Sequence, residues 1–393
     1  MSALWLLDPD VAYLNHGSFG ACPRPVLEHQ SALRARMEAE PIQFFANLEE
    51  TADLVRSVLG QFVGADPDDL AFVVNATTGV NTVLRSLDFE PGDEILITDH
   101  TYNACRNAAV AVAERSGARV ITARVPFPIG SPDEVVEAIV SAVTARTRLL
   151  LVDHVTSPTA LVFPVERLVA EMSGRGIDTL IDGAHAPGMV PVDVEAIGAA
   201  YYTANAHKWL CAPKGAAFLH VRRDRQAGIV PTVISHGANS PRIDRSRFRL
   251  LFDWTGTNDP TAHLVIPTAI NTMAAQVPGG WPALTRRNHA MALAARDLLI
   301  DALQIDRPAP DEMVGAMAAV PLPPAAGDPR VFGPTALQQR LWQDHHVEVP
   351  INVWPQWPQQ LLRVSAQIYN RIEQYAGLAH LLARDLLHQK DPG

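Results

Sequence analysis

Through the first two-thirds of the chain, short apolar runs alternate with amphipathic stretches. The runs at 71–74, 94–98, 119–122, 149–153, 179–182 and 216–220 have the length and aliphatic richness of buried strands. Between most of them, segments such as 132–145 and 164–174 repeat apolar residues at helical spacing and are long enough to cross over a sheet. This alternation predicts an α/β fold with a largely parallel sheet. Polar residues collect just after the strands, where open sheets of this kind gather their ligands. From about residue 262 the pattern turns helical, then offers strands near 313–321, 347–353 and 361–366 and a last helix near 372–388. The division expected is a large domain ending at 261 and a smaller α+β domain over 262–393. The Pro- and Gly-rich stretch 320–334 reads as a mobile surface loop.

Composition narrows the function classes. A hydrophobic share of 48% and a charged share of 19% are those of an ordinary globular protein with room for a large core. A net charge of -10 with no basic block leaves no footprint for nucleic acid. No run reaches the ~18 apolar residues of a membrane span, and Met1-Ser2-Ala3-Leu4-Trp5 does not read as a leader, so a cytoplasmic address is expected. Cys22, Cys105 and Cys211 are too scattered for a disulfide framework or a zinc cluster.

Only three of the 32 lysine and arginine positions are lysine, and two of these, Lys208 and Lys214, lie in Asn205-Ala206-His207-Lys208-Trp209-Leu210-Cys211-Ala212-Pro213-Lys214-Gly215. Base composition can explain the rarity of lysine but not where the survivors stand. An amine can attack an aldehyde, whereas guanidinium stays protonated. Asp182 ends one apolar strand in Ile181-Asp182-Gly183-Ala184-His185-Ala186-Pro187-Gly188, and Lys208 follows another. A carboxylate against a pyridinium nitrogen and an amine that forms an imine with the same ring's aldehyde are what pyridoxal phosphate needs as an electron sink. Asn75-Ala76-Thr77-Thr78-Gly79-Val80-Asn81 follows a strand and opens a helix, which suits the cofactor's phosphate. Each signal has a bland counterpart: strand-end Asp and a Thr-Thr-Gly start often just cap helices, and a lone lysine is usually solvated.

Together with Tyr13-Leu14-Asn15-His16-Gly17-Ser18-Phe19-Gly20 and Gly256-Thr257-Asn258-Asp259, these motifs stand in order and resemble the class V aminotransferase group of pyridoxal-phosphate enzymes. The resemblance runs over about 8–390 and is strongest to the isopenicillin N epimerase-like branch. That branch is similar to enzymes of sulfur-containing antibiotic pathways, such as those of the lincosamides, that process cysteine S-conjugates. The resemblance implies the aspartate aminotransferase-like fold type I, pyridoxal 5'-phosphate as cofactor, and an arm over 1–20 folded onto the active site. It also implies a homodimer with shared sites.

Residue by residue, Lys208 matches the imine-forming lysine, with Lys214 in the family's Pro-Lys-Gly turn as the alternative. Asp182 matches the pyridinium partner. His185 falls where the cofactor's phenolic oxygen is met, unless it is a satisfied core histidine. Ala76 and Thr77 match the phosphate loop, and Asn205 and His207 match further phosphate contacts. Gly256 and Thr257 match the segment that reaches the partner subunit's phosphate. Tyr102 matches the ring stacked on the cofactor, with His100 in that role if the register moves by two. Ser157 stands where related desulfurases carry asparagine. Arg363 matches the arginine for the substrate carboxylate, its bland reading being a strand-edge surface charge. Asn15 and His16 match the substrate side, Asn15 having helix capping as an even alternative.

The expected activity is therefore at Cα and Cβ of an amino-acid substrate. A cysteine S-conjugate cleaved by β-elimination, or deaminated with decarboxylation, leads over isopenicillin N epimerisation and transamination. Epimerisation needs a second acid/base facing Lys208, for which Tyr102, His100 and His16 are the candidates. With no cysteine after Cys211, a persulfide-forming desulfurase is not expected. Retention of the lysine argues against a non-catalytic binding protein.

Overall fold

The computed structural model describes residues 4–325 and 333–387. Strand β1 (Ala12–Tyr13) is followed by β2 (Leu70–Val73), β3 (Glu94–Thr98), β4 (Arg119–Ala123), β5 (Thr147–Asp153), β6 (Asp178–Asp182), β7 (Tyr201–Asn205) and β8 (Ala217–Val221). The last seven form one sheet in the order β2-β8-β7-β6-β5-β3-β4. Only β8 runs antiparallel to its neighbours, so the sheet is mostly parallel as the alternating pattern predicts. In β5, Leu150 and Val152 enter one hydrophobic core while Leu149 and Leu151 enter the other. That period of two is what burial on both faces requires. Helices Ala76–Ser86 and Asn103–Ser116 cover one face; Pro132–Ser141 and Val165–Ser173 cover the other. Pro132–Ser141 starts at a capping box between Ser131 and Glu134 with proline in its first turn. Leu151 is fully buried, and truncating such a leucine to alanine costs about 2–5 kcal/mol.

A second sheet of β9 (Met317–Leu322), β11 (Ile351–Val353) and β12 (Gln360–Ser365) is antiparallel, in the order β11-β12-β9. Helices Gly280–Leu303 and Ile372–Leu387 share its core. The expected strand near 347–353 is in fact two: β10 (Val347–Glu348) pairs in parallel with β1, and β11 joins β12. Pro350 divides them, having no N–H to give a ladder. Helices Thr261–Leu264 and Ile266–Ala274 keep Leu264, Val265, Ile266 and Ala269 in the core of the large sheet with Val26, Val55 and Leu59. The chain thus stays with the large sheet beyond residue 262, and the second core begins on helix Gly280–Leu303. Of the expected loop 320–334, residues 320–322 belong to β9 and 326–332 lie outside the described residues. No helix among the described residues is long and apolar enough to cross a membrane.

Candidate active site

The candidate residues converge because they follow the C-terminal ends of parallel strands. Ala76 and Thr77 come after β2, Tyr102 after β3, Ser157 after β5, His185 after β6, and His207 and Lys208 after β7. Such ends are where open α/β sheets present loops to a ligand.

Lys208 is the centre of this group. Its Nζ lies 3.1 Å from Nε2 of His185. Burial lowers its pKa to about 8, with Arg363 adding to the effect against the pull of Asp182, Cys105 and Asp153. Burial also holds His185 well below the usual imidazole range, helped by Lys208, and its Nδ1 has no partner. Asp182 is buried at the last position of β6 and is pushed up by desolvation. Its Oδ2 accepts from Cys105 Sγ at 3.1 Å and its Oδ1 from the Ala184 N–H at 3.0 Å. Beside it, Asp153 ends β5 in register with Asp182 and has an unpartnered Oδ2.

Helix Ala76–Ser86 begins under firm control. The Asn75 side chain caps the Thr78 N–H at 2.8 Å, and Asn205 Oδ1 accepts the Ala76 N–H at 2.8 Å. The Thr77 hydroxyl has no partner among the described residues, beside a helix N-terminus that favours anions. His207 donates from Nδ1 to the Ala216 carbonyl at 2.8 Å, and burial lowers it to about 4.

Arg363 is buried, not a surface charge. Its Nη1 donates to the Ser157 carbonyl at 2.7 Å and its Nη2 to Ser18 Oγ at 2.7 Å, while Nε has no partner. No carboxylate among the described residues bonds this guanidinium, and burial lowers it to about 10. A cleft of 1350 Å3 opens nearby, with Tyr102 and Ser157 in its wall. The Tyr102 phenol is pushed up, first by burial and then by Cys105 and Asp182.

The arm departs from one expectation. His16 is fully buried, donating from Nε2 to the Lys208 carbonyl at 3.0 Å and accepting at Nδ1 from the Tyr369 hydroxyl at 2.8 Å. Burial lowers it to about 3. A ring with both nitrogens engaged braces the lysine's backbone, an arrangement that favours positioning over the catalytic role expected of it. Gly20 explains the close approach of the arm: a Cβ there would stand 2.4 Å from the Lys208 carbonyl oxygen. His100 is likewise pinned, between Thr159 Oγ1 at 2.7 Å and the Val125 carbonyl at 2.9 Å, with the rings of Phe163 and Trp354 packed beside it. Asn15 stands near Glu348 and favours the charged form of its carboxyl, while its own Oδ1 is unpartnered. Lys214 donates to the Gly20 carbonyl at 2.8 Å, a structural bond. Gly256 adopts φ 115° beside the exposed Thr257.

Three participants went unassigned in the sequence. Asp153 repeats the strand-end signal of Asp182 and could have been read from it. Cys105 and Ser18 carried no local signal; their partners lie 77 and 345 residues away.

The donors fit pyridoxal phosphate: a buried amine after β7, a buried carboxyl at the end of the adjacent β6, an orphaned His185 Nδ1 and a helix start that favours an anion. A family model described as class-V aminotransferase matches residues 21–251. Isopenicillin N epimerase of Amycolatopsis lactamdurans is 38% identical over 391 residues, spanning 96% of this chain and 95% of that protein. A probable chloroplastic L-cysteine desulfhydrase of Arabidopsis thaliana is 32% identical over 394 residues, spanning 94% of this chain and 81% of that protein. Among solved structures, a lysine-to-alanine mutant of C-DES with glycine covalently linked to its PLP cofactor aligns at a TM-score of 0.78 and 20% identity, over 95% of this chain and 97% of that one.

Proposed function

The chain belongs to the class-V aminotransferase family and is a pyridoxal-phosphate-dependent enzyme of fold type I, and from that premise we propose that it cleaves the C–S bond of an S-substituted cysteine by β-elimination. The observation that carries this reading is the engagement of both histidines nominated as a second base: His16 and His100 have each ring nitrogen bonded within the protein. Proton handling then falls to Lys208 with His185 beside it. The relative named an L-cysteine desulfhydrase supports the same direction. The balanced reaction takes the conjugate and one water to a thiol, pyruvate and ammonium.

Bound at this site, the cofactor supplies an aldehyde for the amino group and a sink for the electron pair left at Cα. Arg363 offers a planar fork to the substrate carboxylate, which also gives its buried charge the anion it lacks. Lys208, lowered to about 8, has a usable neutral fraction near neutral pH to take the Cα proton and return a proton to the departing sulfur. Asp182 would keep the ring nitrogen protonated, since a nearby carboxylate favours the charged form. Tyr102 would pack on the cofactor from the cleft wall, and Ser157 and Ser18 hold Arg363 in aim. Thr77 and the helix start would hold the phosphate, and a phosphate there would favour the charged form of the nearby His207. Asn205 acts one step back, bracing the Ala76 N–H. Gly256 and Thr257 reach the partner's phosphate in a dimer, and sedimentation of an active monomer would remove that role. Cys22, Cys105 and Cys211 are all buried, which leaves no accessible thiol for persulfide chemistry.

Epimerisation at Cα is the second reading, favoured by Tyr102 as a protonated donor in the cleft wall and by the relative named isopenicillin N epimerase. Mass spectrometry of products in deuterated buffer separates them. Thiol with pyruvate supports elimination, an aldehyde with CO2 marks the decarboxylative route, and deuterium gain alone returns the site to epimerisation.

A further inference from the structure

The cleft beyond Tyr102 is larger than cysteine requires. Its 1350 Å3 exceeds the roughly 300–1,000 Å3 of ordinary small-molecule pockets. Its wall carries Arg106, Arg124 and Arg340 together with Trp354 and Trp357. Arg106 stands about one helical turn past Tyr102 on helix Asn103–Ser116. Its Nη2 donates to the carbonyl of Thr98, the last residue of β3. Thr98 is the register partner of Ala123, and Arg124 follows directly. The two guanidinium-bearing residues are therefore neighbours at the ends of β3 and β4. In the strand order β7-β6-β5-β3-β4 those ends lie progressively farther from Lys208, which follows β7. Arg340 enters the wall from helix Ala336–His345.

None of these three arginines is bonded to a carboxylate among the described residues. The acid in the same wall, Asp99, spends its Oδ1 on the Val125 N–H and stands 3.8 Å from His100. On a chain of net charge -10, such a local excess of guanidinium is a feature that draws an anion. Arginine's planar fork suits a carboxylate in particular.

We propose that the outer cleft binds a distal carboxylate of the substrate, so that the sulfur substituent is a side chain ending in an anion held by Arg106 and Arg124. This rests on the C–S cleavage reading, which assigns the inner site to the cysteine part. The tryptophans offer the connecting portion an apolar wall.

The test compares S-(carboxybutyl)-L-cysteine with its neutral isostere S-(carbamoylbutyl)-L-cysteine on the holoenzyme at low salt. The carboxylate is expected to win in kcat/KM by about tenfold, the scale of one charge-assisted pair. That ratio should shrink on raising salt, collapse in Arg124→Ala and Arg106→Ala, and recover in part in Arg124→Lys. Cleavage of both compounds at equal efficiency would overturn the anion subsite while leaving the lyase reading intact. If neither is cleaved, the lyase reading falls, and dissociation constants from the holoenzyme's absorbance decide the subsite. A carboxylate preference lost in Arg124→Ala would sustain it, and equal constants would end it.

Discussion

Asp153 and Asp182 are register partners at the ends of adjacent parallel strands, and both are buried. Burial pushes both carboxyls up, Asp153 well above its usual range with the charge of Asp182 adding to the effect. Two such groups do not both ionise cheaply. Lys208 and neighbouring N–H groups favour the charge of both, but Asp182 is raised less and accepts from Cys105 and Ala184, whereas Asp153 is raised well above its range and has an orphaned Oδ2. The negative charge therefore belongs on Asp182 and the proton on Asp153. Asp153→Asn, which swaps one neutral group for another, should keep kcat/KM within about threefold, whereas Asp182→Asn should lose about a hundredfold or more along with cofactor affinity. Equal losses in the two variants would reverse the assignment.

Lys208 should set the rate at which apoenzyme takes up pyridoxal phosphate. The neutral amine is the nucleophile, so the uptake rate should climb with pH and level off above about 8. Lys208→Ala should show no imine absorbance with the cofactor, while Lys214→Ala should retain it. Absorbance that survives in Lys208→Ala would move the attachment point elsewhere.

Arg363 lets stability and binding be separated by experiment. It is a buried cation satisfied only by a carbonyl and hydroxyls. Replacing a desolvated charge with an apolar side chain of similar length is often neutral or stabilising. Arg363→Met should therefore hold or raise Tm by a few degrees while KM rises by about a hundredfold, the loss of a bidentate carboxylate contact. A large fall in Tm would make Arg363 a structural residue.

Acid should destabilise the fold. Burial lowers His16 to about 3 and His154, His207 and His220 to about 4. Between about pH 6.5 and 4 the unfolded chain binds protons that the fold refuses, so each such imidazole withdraws up to about 1.4 kcal/mol per pH unit as pH falls. Asp153 and Asp182 act oppositely, because their raised carboxyls keep protons that the unfolded chain has released; that contribution is lost as pH rises. Four imidazoles outweigh two carboxyls, so Tm of the apoenzyme should drop from pH 7 to pH 5. A flat or rising Tm on acidification would show that these rings are solvated.

His16 separates positioning from catalysis. His16→Gln, which can still donate to the Lys208 carbonyl, should lower Tm yet leave the pH profile of kcat unmoved. Loss of one limb of that profile would restore the histidine as a proton carrier.

Periodicity made the strands and crossover helices legible, because burial on both faces of a parallel sheet writes itself into short local runs. A lysine in a chain almost without lysine, and an aspartate at a strand end, likewise stood out from local sequence. Nothing local separates a free histidine from a pinned one. His16 is decided by Tyr369 and Lys208, 353 and 192 residues away, and Arg363 by Ser18 and Ser157, 345 and 206 residues away. Pro350 was visible, but that it sends β10 and β11 to different sheets depends on where β1 and β12 wait. Sequence spacing determines which residues share a strand or a helix face. Desolvation and hydrogen-bond partnership, which set each group's charge and freedom to react, arise only once distant segments exclude water from one another.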